Sequence, residues 1–184
     1  MSSSNKKVNV VFTLQNTQFN KNINDMNRQI RLCEQQVRTA GQQMLVYGEK
    51  TQALATKQRA LTTAIKSAET NINNYKKRIS SLQTTMQQNI SKTEQLKAKK
   101  QALSKEYKNS VKELGEEDEK TKELKRQLEE VTEQYQEYSN RVKSNADSIN
   151  KSTTAMESQK AKLNSLKAQY QQVNRTILEN SNNL

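Results

Sequence analysis

The chain has 184 residues, 32% hydrophobic and 4% aromatic, with no tryptophan, proline or histidine and a formal net charge of +12. A globular domain of this length buries most of the surface its unfolded chain exposes, so this apolar inventory excludes a broad compact core. Without histidine, and with Cys33 as the single cysteine, the chain lacks the usual general base, the commonest metal ligand and any intrachain disulfide, which excludes an oxidised secreted scaffold.

Residues 1–6 read as a disordered polar tail. The next stretch, KVNVVFTL at residues 7–14, is rich in Val, Phe and Thr and predicts a short strand or extended arm. Its unpaired edges would need a partner, either a copy of itself or another protein's sheet. The run is too short for a signal-peptide core or a membrane span. Residues 1–18 are therefore set apart as an N-terminal arm, with Asn16 or Thr17 placed to cap the helix that follows.

From Phe19 the apolar residues fall into one phase. Taking Phe19 as heptad position a and Ile23 as d, the first series holds Phe19, Met26, Cys33, Leu54, Leu61, Leu82, Leu96, Leu103, Leu124, Val131, Leu166 and Val173. The second holds Ile23, Ile30, Val37, Met44, Ile65, Ile72, Ile79, Leu114, Leu128, Val142, Ile149, Leu163 and Ile177. Between Phe19 and Leu184, 36 of the 48 seam positions are apolar, against 16 of the other 118, ten of those being alanine. Low hydrophobicity with high net charge fits disorder, but a disordered chain would not sort its residues in this way. A period of 3.5 predicts an all-α fold, a long left-handed coiled coil over residues 19–184, with these residues as the oligomer core.

The phase is kept across Gly41, Gly48 and Gly115, which favours a continuous helix with soft points near residues 41–48 and 115–121; a hairpin at Gly48 is the alternative. Polar seam residues cluster at Asn89, Thr93 and Lys100, at Ser110, Glu117 and Thr121, and at Asn145, Ser152 and Gln159. Nine of the d positions so lettered hold Ile or Val, against two of the a positions. Leucine at a with β-branched residues at d predicts a parallel trimer.

Charge is uneven along the chain. Residues 1–112 carry 20 basic and 6 acidic side chains, residues 113–137 carry 10 acidic and 4 basic, and the last 47 residues carry 7 basic and 3 acidic. The acidic stretch lacks the fixed ligand spacing of a calcium loop. No glycine-rich phosphate loop, paired-cysteine site or nucleophile elbow is present, and no serine or cysteine triad can form without histidine. Neither catalysis nor a cofactor is expected. Basic runs such as Lys76-Lys77-Arg78 can meet a nucleic-acid backbone non-specifically, but no zipper-like basic region precedes the heptads, which speaks against sequence-specific DNA reading.

VNVVFTLQNTQFNKNINDMNRQIRL resembles the opening of tail tape-measure proteins from phages and phage-tail-like particles of low-GC Gram-positive bacteria. YGEKTQALATKQRAL and LGEEDEKTKELKRQL are similar to their recurring glycine, Thr-x-x-Leu and Lys-Gln-x-x-Leu phrases. The similarity is clearest over residues 8–65. It implies a rod in the lumen of the virion tail, assembled in the host cytoplasm, that sets tail length and leaves on genome ejection. Its implied partners are further copies of itself, the tail tube protein, tail-tip proteins and tail assembly chaperones, with passive contact to DNA. Roughly 165 helical residues span about 250 Å, whereas tape measures generally run to several hundred residues, so the resemblance implies the N-terminal part of a larger protein or a short tail. Two other readings stand beside it: a generic coiled-coil spacer or adaptor, and a non-specific nucleic-acid-binding coiled coil.

Overall fold

A computed structural model of the chain describes residues 3–47 and 50–182, with side chains described from Thr17 to Met44 and from Lys50 to Asn180. Three helices make up the fold: α1 (Ser3–Tyr47), α2 (Lys50–Leu114) and α3 (Glu119–Asn182). The chain is all-α, with no strand among the described residues.

The strand expected over residues 7–14 is therefore corrected, since those residues lie inside α1. So do Asn16 and Thr17, and neither begins a helix. A lone strand leaves both backbone edges unpaired, whereas a helix closes its interior N–H and C=O groups on themselves. Gly41 is helical, while residues 48 and 49 lie outside the described residues.

The single continuous helix expected from Phe19 onwards is corrected twice: α2, from Lys50, runs antiparallel to α1, which ends at Tyr47, as in the hairpin alternative, and the helix breaks again at Gly115. There α2 ends, and the glycine takes φ = 88°. This left-handed conformation is one that a side chain disfavours and that commonly closes helices. The Gly115 N–H donates to the carbonyl of Val111 at 3.1 Å, satisfying one of the carbonyls that a helix end leaves open. Four residues later α3 begins under an N-cap, Asp118, whose Oδ1 accepts from the Lys120 N–H at 2.9 Å.

The chain divides into two compact units: Met1–Lys77 with Thr153–Leu184, and Arg78–Ser152. In the first unit α1 runs antiparallel to α2. Phe19 meets Tyr75 edge to face with ring centroids 5.3 Å apart, Asn27 meets Asn71, and Gln29 meets Ser67. α3 returns alongside both, antiparallel to α2 through Gln58–Asn174 and Glu69–Lys167. It is parallel to α1 through Asn27–Gln159 and Glu34–Lys162. The second unit is an antiparallel pair formed by the remainder of α2 and the start of α3, turning at residues 115–118.

The heptad lettering also needs correction. Phe19 to Ile23 is a step of four and Ile23 to Met26 a step of three. The step from a to d is three residues, so the Ile23 series holds a and the Phe19 series holds d. β-branched residues then sit at a with leucine at d, a two-stranded preference, and the argument for a parallel trimer falls.

Candidate interaction seam

Each seam position sits on the face that a period-3.5 stripe turns toward a neighbouring helix. Of the expected core, Ile23, Ile30, Cys33, Leu54, Leu61, Ile72, Leu82, Leu96, Leu103, Val131 and Leu166 are buried. Phe19, Met26, Val37, Met44, Ile65, Ile79, Leu124, Leu128, Val142, Ile149, Leu163, Val173 and Ile177 are half-buried. Leu114 departs from the expectation at 51% exposed, because the turn that follows it leaves it no opposing layer. The burial of the others arises within one chain.

The seam is brought together differently in the two units. In the first, Ile30, Cys33, Ala60, Leu61, Ala64, Ala68 and Leu166 form one cluster fed by all three helices. In the second, Leu96, Leu103 and Val131 pack together with Leu124, Leu128, Tyr135 and Tyr138 against them.

Sequence reasoning missed a second stripe. Ala53, Ala60 and Ser67 repeat every seven residues off the seam, as do Ala64 and Asn71, and all five are buried. They widen the covered face of α2 to four heptad positions, as a helix with two neighbours requires. Their small side chains let α1 approach closely. The visible signal was the concentration of off-seam alanine in residues 53–64.

Polar residues on and beside the seam form layers of hydrogen bonds. Asn27 Oδ1 accepts from Asn71 Nδ2 at 3.0 Å and from Gln159 Nε2 at 2.9 Å, joining α1, α2 and α3 through one oxygen. Asn71 Oδ1 and Gln159 Oε1 are buried with no hydrogen-bond partner. A layer satisfied only in part costs stability, and its geometry works in one register alone. In the second unit the Ser110 and Thr121 hydroxyls meet at 2.7 Å, both buried. Asn145 Nδ2 reaches the Leu82 carbonyl at 3.4 Å. Lys100, at a seam position, carries its ammonium over the ring of Tyr135, itself a seam residue, 5.7 Å from the centroid, so the aromatic face offers the charge a favourable partner.

The acidic stretch flanks the turn. Lys122 pairs with Glu117 and Glu119, each at 3.3 Å. Arg126 grips Glu123 through two nitrogens at 2.7 and 2.9 Å. That grip, aided by Gln127, holds the Glu123 carboxyl down at about 2. All of these groups are exposed, where water and salt screen an ion pair and leave it a small contribution.

Cys33 lines a cavity of about 310 Å³ with Val37, Leu61, Ala64 and Leu166 in the first unit. Burial pushes its thiol up, and the charge of Glu34 pushes it further. Both act against the thiolate a nucleophile needs. Among the described residues no group of three or more Cys, Asp or Glu side chains could hold a metal ion, and no helix is long and apolar enough to cross a membrane. No family model matches the chain, and neither do any curated proteins or solved structures.

Proposed function

We propose that this chain is a structural helical segment of the tail tape-measure type, in which residue number is translated into length within a tail tube. The observation that carries the reading is the apolar stripe, which keeps one period from Phe19 to the last residue. Around it lie polar faces. The resemblance of residues 8–65 and of LGEEDEKTKELKRQL supplies the tail context. Its net charge of +12 suits a negatively lined lumen, and also passive contact with DNA on its way out.

In-frame removal of whole heptads from the encoded protein tests the ruler directly. An extended helix shortens the tail by about 10 Å per heptad removed. If the α2–α3 turn persists in the tail, that shortening requires one heptad taken from each arm. Tails of unchanged length refute the proposal.

The turn at Gly115 favours a second reading, a helical spacer or adaptor whose seam closes within the chain. Under that reading tail length is indifferent to heptad deletion, and loss of a binding partner accompanies seam substitutions instead. Nucleic-acid binding has its own test, since affinity for a DNA duplex should fall steeply with salt; no binding at low salt removes that component.

A further inference from the structure

The turn at residues 115–118 interrupts the helix without interrupting the heptad frame. Ser110, Leu114, Glu117, Thr121 and Leu124 follow one another at steps of four, three, four and three. A hairpin loop has no need to keep that count, because a turn absorbs any number of residues. A helix running through the turn does need it. The register of the hairpin agrees. Ser110 faces Thr121, so the next layer toward the turn would pair Leu114 with Glu117, and there the chain instead turns away. Leu114 is left 51% exposed as a result.

We propose that a second copy of this chain is a partner for the α2–α3 seam. With residues 115–118 helical, α2 and α3 become one helix, and two such helices lie antiparallel with α2 of each copy on α3 of the other. Every hairpin contact is remade between copies in the same register, Ser110 against Thr121 included. The exposed Leu114 of each copy gains the layer it lacks. Exchange of identical elements is a low-cost route to a dimer because few new contacts are required.

Two features hold the closed hairpin. Gly115 at φ = 88° fits the turn and weakens a helix. Glu117, whose side chain is 95% exposed in the hairpin, would be carried onto the seam of both copies. The inference does not rest on the tape-measure reading, and its failure would leave that reading as it stands.

The test uses the full chain with Cys33→Ser and a reporter pair, Ser110→Cys with Thr121→Cys, whose parent hydroxyls lie 2.7 Å apart. Oxidation closes this pair within one chain in the hairpin and between chains in the exchanged dimer. Onto that background Gly115→Ala and Glu117→Leu are placed singly and together, and each protein is refolded at high concentration. The expected result is a dimer by light scattering, linked between chains on a denaturing, non-reducing gel. Each substitution should lower the concentration at which dimer forms by about tenfold or more. Monomers closed within the chain in every variant overturn the proposal, as do dimers whose cysteines close within each chain. Glu117→Leu alone leaves Gly115 in place, so a folding defect of Gly115→Ala does not decide the outcome.

Discussion

Leu166 on α3 is 1% exposed and touches the cluster to which all three helices of the first unit contribute. Truncation there leaves a cavity that three backbones would have to close together. Leu166→Ala is expected to cost about 2–5 kcal/mol, read from the urea midpoint at unchanged slope. Glu123 sits at the opposite extreme, exposed and gripped by Arg126. Its folded carboxyl titrates at about 2 rather than 4.5. A depressed carboxylate contributes stability above its ordinary value, and that contribution is lost as pH falls from about 4.5 toward 2. Melting temperatures of the parent and of Glu123→Gln should therefore differ most above pH 5 and converge toward pH 2. A constant gap across that range would show that the ion pair contributes nothing.

Along each helix, the period-seven stripe made the helices and most of the seam legible from residues alone. Leu61, Leu103 and Val131 are buried where the count put them. The turn was less legible because the count runs through it unbroken; only Gly115 followed by Glu116, Glu117 and Asp118 marked it, and a conformation with φ = 88° leaves no trace in heptad spacing. The docking of α1 on α2 was hidden for another reason. Ala53, Ala60 and Ala64 bury little area each, so they resemble ordinary good helix formers on a solvated face. Their role yields a prediction for α1. Ala64 is 1% exposed in the cluster that holds Cys33, and a glutamate there forces extra volume and a charge among packed apolar side chains. Ala64→Glu should free α1, so that the Cys33 thiol reacts with a maleimide at least tenfold faster than in the parent. An exposed control, Ala98→Glu, should leave that rate unchanged.

The two units differ in how much seam each residue of α2 commands. In the first, residues 53–71 of α2 are covered on four heptad positions, and Ala60, Leu61, Ala64 and Ala68 share one cluster with α1 and α3. In the second, α2 faces a single helix, and Leu96 and Leu103 are the buried apolar residues it contributes to the local cluster. A two-helix pair leaves half of each helix in water, so its backbone hydrogen bonds open at lower cost. Helix content hides this difference, because the described residues of both units are helical apart from the turn. Amide exchange exposes it. Residues 58–72 should exchange about tenfold or more slowly than residues 90–105, a gap of 1.4 kcal/mol or more in opening free energy. Leu61→Ala should erase most of the gap by speeding the first segment, whereas Leu103→Ala should widen it. Equal protection in the parent chain would mean that the second unit is covered on a face the hairpin leaves open, as association with further helices would do.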